Sequence, residues 1–153
     1  MANHGKVRAF ITAGGKGTRL RVFVGPNRRS KPMVPFGSQY RLIDVGVSNC
    51  QYSKWIDQVE VFLQAVPNQL KNYLEATYSH HWMPKKVRAQ LPPMYHGPEC
   101  FAGSADTFRQ SAWIFQEKID NFLILSADQV YRMDFDQLIN HHLEQKADIT
   151  IAV

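Results

Sequence analysis

The stretch Val7-Arg-Ala-Phe-Ile-Thr-Ala-Gly-Gly-Lys-Gly-Thr-Arg-Leu20 joins an apolar, β-branched run to a glycine-rich turn that carries Lys16 and Arg19. Val7–Thr12 reads as a buried strand, and the glycines of residues 13–20 read as a phosphate cradle. Glycine has no Cβ, so its backbone can approach a bulky anion and reach positive φ. Free N–H groups in such a loop, and at the start of a following helix, point at phosphate oxygens. Lys16 and Arg19 add charge there, and a guanidinium can bond two oxygens of one phosphate at once. The P-loop pattern is absent, and the dinucleotide fingerprint fails because Leu20 stands where its third glycine belongs. A plain strand-to-helix turn is the alternative reading of these residues.

Outward from this loop, Val59–Ala65, Phe122–Ser126 and Asp148–Val153 are further short apolar runs. Continuous rather than alternating hydrophobicity is the habit of parallel strands covered on both faces. Helical spacing appears between them: Asn68–Tyr78 behind a capping Asn, Ser104–Lys118 behind Ser104, and Asp136–Lys146 behind Asp136. Strand and helix therefore alternate, which predicts an α/β fold with a doubly wound, mostly parallel sheet and right-handed crossovers. Val24–Gln39 and His80–Gly103 carry no clear period and are expected as binding loops.

Composition narrows the class. A chain of 153 residues with 44% hydrophobic content fits one globular domain with a packed core. No apolar run is long enough to span a bilayer, and the residues before Val7 include no apolar signal segment, so a cytoplasmic, membrane-free protein is expected. Cys50 and Cys100 are expected as free thiols, and the adjacent pairs His80-His81 and His141-His142 as surface residues. The net charge of +5 suits either a polyphosphate pocket or a nucleic-acid patch. No nucleic-acid-binding motif accompanies it, so a nucleic-acid partner is not expected. Lys85, Lys86 and Arg88 are expected as a solvated basic face.

Three further segments carry chemistry. Lys31-Pro-Met-Val-Pro-Phe-Gly37 holds a lysine on a proline-stiffened loop shortly after the glycines, where it can reach the same phosphates; an exposed loop lysine is the alternative. Gly103-Ser-Ala-Asp-Thr107 opens a helix with small residues that a base or ribose could approach; an ordinary cap by Ser104 is the alternative. Leu125-Ser-Ala-Asp128 puts a carboxylate at the C-terminal end of a strand, where open α/β sheets bind ligands. Such a carboxylate suits Mg²⁺, which takes few protein oxygens and completes its shell with phosphates; a turn-starting Asp is the alternative.

Taken together, these blocks resemble the N-terminal part of the ADP-glucose pyrophosphorylase (glucose-1-phosphate adenylyltransferase) family. That family has G-G-x-G-T-R-L, K-P-x-V-P-F-G, Y-R-L-I-D and S-N-C, matched here by Gly14–Leu20, Lys31–Gly37, Tyr40–Asp44 and Ser48–Cys50. A glutamine ends its next strand, matched by Gln64; G-T-A-D matches Gly103–Asp106, and S-G-D-H-x-Y-R-M-D-Y matches Ser126–Phe135. Departures are Phe101-Ala102 before Gly103–Asp106, and Ala127 beside the metal carboxylate.

The resemblance implies specific roles. Gly14, Gly15, Gly17 and Thr18 hold the ATP phosphates; Gln64, Gly103 and Ser104 line the nucleotide; Asp128 binds Mg²⁺. Arg19, Lys31 and Asp128 are the catalytic candidates, with Arg19 on the leaving pyrophosphate. The implied reaction joins ATP and glucose-1-phosphate to give ADP-glucose and pyrophosphate in glycogen or starch biosynthesis, within a homo- or hetero-oligomer, a tetramer in the family. Residues 1–153 would then be its nucleotide-binding part, without the family's sugar-binding half and C-terminal left-handed β-helix. A non-catalytic or regulatory nucleotide-binding fragment or subunit is the second reading.

Overall fold

The computed structural model describes residues 6–14, 30–64, 67–80, 83–91, 103–116 and 119–153. Strand β1 spans Val7–Ala13. A 3₁₀ turn at Lys31–Met33 leads to β2 (Pro35–Phe36) and β3 (Tyr40–Arg41), then α1 (Leu42–Tyr52) and β4 (Ile56–Leu63). There follow α2 (Pro67–Tyr78), β5 (Lys86–Gln90), α3 (Ser104–Gln110) with a 3₁₀ segment at Ala112–Gln116, β6 (Asn121–Ser126) and α4 (Phe135–Gln145). The main sheet is four-stranded in the order β5-β4-β1-β6, with every pairing parallel. Strands β2 and β3 form a small antiparallel pair of their own.

Alternation along the strands divides the core in two, because successive side chains leave a strand on opposite faces. Ala9, Ile11, Val59, Val61 and Leu63 face an aliphatic cluster closed by Ile43 and Val47 of α1, Leu70 and Leu74 of α2, and Phe135 and Ile139 of α4. Phe10 and Phe62 face the other side, where Ile114 and Phe108 pack on them. The Phe10 and Phe62 rings stack at 5.8 Å, and Phe108 meets each of them edge-on. Helices thus cover both faces, as a doubly wound α/β sheet requires. Farther along this second face, the buried Glu60 carboxylate accepts hydrogen bonds from the Gln58 and Gln90 side-chain amides, the latter at 2.6 Å. Its charge lies 4.0 Å from Arg88.

Helix α1 is fixed by Asp44. Its carboxylate accepts from the backbone N–H of Arg41 at 2.7 Å and from the phenols of Tyr73 and Tyr78, each at 2.6 Å. One buried side chain therefore caps α1 and ties it to α2. Burial and then the Asp44 carboxylate push the Tyr73 phenol up to about 12, and the Tyr78 phenol higher still. At the far end of α1, Asp136 accepts from the Ser53 hydroxyl at 2.6 Å and from the Lys54 N–H at 3.1 Å, joining α1 to α4.

Several sequence expectations are corrected here. Residues 148–153 form no strand: Ile149 is 80% and Ile151 75% exposed, and β-branched propensity makes a strand only where a neighbour supplies hydrogen bonds. Residues 85–88 are not simply a solvated basic face, because Lys86–Gln90 is an edge strand and Arg88 approaches Glu60. The period-two pattern of Val87 and Ala89 was masked by the flanking cations. Helix α2 starts at Pro67, before Asn68, since a proline costs no hydrogen bond in a first turn. The cap of α4 is Asp134, whose side chain accepts from the Asp136 N–H at 2.9 Å. The helix expected over Ser104–Lys118 ends at Gln110 and gives way to the 3₁₀ segment. Cys50 is a buried free thiol, and Cys100 lies outside the described residues. His142 is half-buried, with Nδ1 2.9 Å from the Thr150 hydroxyl. Among the described residues, no helix is long and apolar enough to cross a membrane.

The Asp44 junction yields a stability test. Asp44→Ala removes the α1 cap and leaves two phenols without their acceptor, so it should cost about 2–4 kcal/mol. Urea unfolding reads this as a lower midpoint with an unchanged slope; a loss under ~0.5 kcal/mol, the range of ordinary surface changes, would remove the junction's structural role.

Candidate functional site

The strand order places the site. Successive crossovers carry the chain from β1 outward to β4 and β5, and the next returns it to the opposite side of β1 as β6. The order reverses between β1 and β6, and open α/β sheets bind ligands at that point, outside the C-terminal ends of the strands. The register aligns Ala13 with Leu63 and Thr12 with Ser126. Gly14, Gln64 and Asp128 therefore emerge at the same end of the sheet from three neighbouring strands.

Two bonds lock the exits of β1 and β6 together. The Thr12 hydroxyl donates to the Leu125 carbonyl at 3.2 Å, and the Ala127 N–H donates to the Thr12 carbonyl at 3.1 Å. Asp128 follows directly. One of its carboxylate oxygens accepts from the Ser126 hydroxyl, and the other pairs with the Lys31 ammonium. Lys31 first, and then Ser126, hold the Asp128 carboxyl below the usual carboxylate range, against the opposing effect of its partial burial. Lys31 rides on the 3₁₀ turn, whose Pro32 is buried, and the Met33 N–H donates to the Ser30 carbonyl at 2.9 Å to close that turn. The lysine of the proline-stiffened segment is thus brought across 97 positions of sequence onto the strand-end carboxylate.

Gly14 is set by its neighbour. A Cβ at this position would lie 3.1 Å from the Gln64 Cβ and 3.3 Å from its Cδ, and closer still to Oε1. Glycine fits here without disturbing the Gln64 side chain, which a Cβ would force to turn aside. Gly103 needs to be glycine for a different reason: it caps α3 with φ +149°. Ser104, expected as that cap, is instead the first helical residue. Helix α3 is anchored on the aromatic face by Phe108, and Gly103 and Ser104 stand exposed at its start.

The structure thus joins Lys31 to Asp128 and Gly14 to Gln64, and carries Gly103 and Ser104 on a separate helix. Gly15, Lys16, Gly17, Thr18 and Arg19 lie outside the described residues. Within the Tyr40–Asp44 motif, Asp44 is structural, since it holds the α1–α2 junction. Sequence reasoning assigned no role to Ser126 or Thr12; a hydroxyl two residues before a strand-end carboxylate was the available signal. Among the described residues, no group of three or more His, Cys, Asp or Glu side chains is arranged for a metal ion. The donor set at Asp128 is one ionised carboxylate, which fits a hard cation that arrives with a polyphosphate and not a cage built by protein alone.

The Gly14 contact can be tested directly. Gly14→Ala should cost about 0.5–1.5 kcal/mol, the usual range for forcing one side chain, here Gln64, off its preferred rotamer. In a Gln64→Ala background the same change should cost measurably less, because the clashing Oε1 and Cδ are gone. Equal costs in both backgrounds, read by denaturant unfolding, would show that Gln64 is not the obstacle.

A switch-point site at the C-terminal end of a parallel sheet, with Gly14 at the exit of β1 and an Asp128–Lys31 pair beside it, suits binding of an anionic ligand through its phosphates. Comparison with protein families agrees: the model described as nucleotidyl transferase matches residues 8–153, from β1 through α4 to the last residue. The chain belongs to the nucleotidyl transferase family.

Proposed function

We propose that this chain carries the nucleotide half of a glucose-1-phosphate adenylyltransferase site, transferring AMP from ATP to glucose-1-phosphate. The observation that carries this reading is the Lys31–Asp128 pair at the switch point, next to the exit of the glycine-loop strand. The match of the Lys31–Gly37 and Tyr40–Asp44 blocks supports the adenylyl-glucose branch.

In this reading an oxygen of the sugar phosphate attacks the α-phosphorus of ATP, the bond to the bridging oxygen breaks, and pyrophosphate leaves. The attacking phosphate is already an anion, so no protein nucleophile or base is needed. The residues act by positioning and by neutralising charge. Gly14 and the loop after it bring backbone N–H groups to the phosphates. Arg19 meets the charge that grows on the departing pyrophosphate, and Lys31 steadies the reacting phosphates. Gln64, with Gly103 and Ser104 at the α3 start, lines the nucleotide. Asp128, kept ionised, together with phosphate oxygens would hold Mg²⁺, whose bound charge supplies electrostatic relief at the phosphates.

The test is nucleotide-dependent melting followed by turnover. ATP with Mg²⁺ at one hundred times Kd should stabilise the folded chain by roughly 2.7 kcal/mol. Pyrophosphate release, measured over a matrix of nucleoside triphosphates and sugar 1-phosphates with the complete protein, should be fastest for ATP with glucose-1-phosphate. An unchanged melting temperature at saturating ATP–Mg²⁺ removes the nucleotide site. Preference for another pair overturns the adenylyl-glucose assignment.

A further inference from the structure

We propose that Lys31 is a stand-in cation for Asp128: its ammonium occupies the place on that carboxylate that a divalent cation takes, and moves to the phosphates when metal and nucleotide arrive together. The inference rests on the reading of the site as a metal–nucleotide cradle.

Both oxygens of Asp128 are engaged by neighbouring side chains, one by the Lys31 ammonium and the other by the Ser126 hydroxyl. The pair is reachable, since the side chains of Lys31 and Asp128 are 31% and 30% exposed. The base of the lysine is fixed by buried Pro32 within the 3₁₀ turn, while four methylenes leave its head free to swing. A divalent cation arriving alone must displace this ammonium and strand it without an anion. A cation arriving with a polyphosphate gives the ammonium a new partner in the same step. Asp128 also lacks a supporting cluster of metal-ligating side chains among the described residues, so removal of one competing cation should be felt strongly. The consequence is positive coupling: the protein discriminates against free divalent metal and in favour of the metal–nucleotide complex, and it needs no moving domain to do so.

The experiment titrates Mn²⁺ onto the full chain without nucleotide and counts free Mn²⁺ by electron paramagnetic resonance. Lys31→Met should bind Mn²⁺ about fivefold more tightly than wild type, the size expected from losing a partly exposed ion pair. Lys54→Met, which changes the net charge equally at the distant α1–β4 turn, should match wild type. Lys31→Arg keeps a cation and should also match wild type. Adding Asp128→Asn to Lys31→Met should abolish the gain. ATP should raise Mn²⁺ affinity by a larger factor in wild type than in Lys31→Met. The proposal is overturned if folded Lys31→Met binds Mn²⁺ no more tightly than wild type, or if its gain survives Asp128→Asn. Failure of the nucleotide reading is seen separately, as the absence of an ATP–Mg²⁺ melting shift in wild type, so the two failures are distinguishable.

Discussion

Parallel pairing of β1 with β4 on one side and β6 on the other is the constraint from which the remaining architecture follows. Parallel neighbours cannot be joined by tight turns, so each connection must cross over the sheet, and the crossovers become the covering layers. Ala9 and Ile11 of β1 point to the face covered by α1, α2 and α4, Phe10 points to the face covered by α3 and the 3₁₀ segment, and all three are fully buried because layers press on the strand from both sides. The same pairing sends the three exits, Gly14, Gln64 and Asp128, to one end. Had β6 paired antiparallel to β1, its carboxylate would emerge at the opposite end from the glycine loop, and no site could form between them.

The Lys31–Asp128 pair has a different place in the energetics. Ion pairs this exposed contribute on the order of 0–1 kcal/mol to stability. Its effect is electrostatic: Lys31 holds the Asp128 carboxyl below the usual carboxylate range and sets a cation beside it at the switch point. Glu60 makes the contrast. It is 1% exposed and accepts from two amide side chains, so it holds β4 and β5 together and offers a ligand nothing. Asp44 belongs with Glu60, because its acceptors are consumed by Arg41, Tyr73 and Tyr78.

What could be read from the sequence follows the range of the interactions involved. β1, β4 and β6 were legible because continuous apolar runs flanked by turn residues need no partner to be recognised. Helix α1 has a weak local signature: Ile43, Val47 and Cys50 recur at helical spacing, but the Gly46, Ser48 and Asn49 between them are weak helix formers, and tertiary packing decides. The cations of β5 hide its alternation, and the apolar run Asp148–Val153 forms no strand because propensity alone cannot supply a hydrogen-bonding neighbour. At the site, Lys31 and Asp128 were both singled out, but a contact between residues so far apart in sequence has no local signature. The steric match of Gly14 to Gln64 is likewise a product of register, visible only once the strands are paired.

In the proposed function, polyphosphate and metal meet at the C-terminal exits of β1 and β6. The most direct measurement is paramagnetic broadening of backbone amide signals by Mn²⁺–ATP in the isotope-labelled chain. The amides of Ala13, Gly14, Ala127 and Asp128 should broaden first, while those of Lys6 and Asn121, at the opposite end of β1 and β6, stay sharp. Broadening centred on Lys6 and Asn121, or none at saturating Mn²⁺–ATP, would contradict that placement.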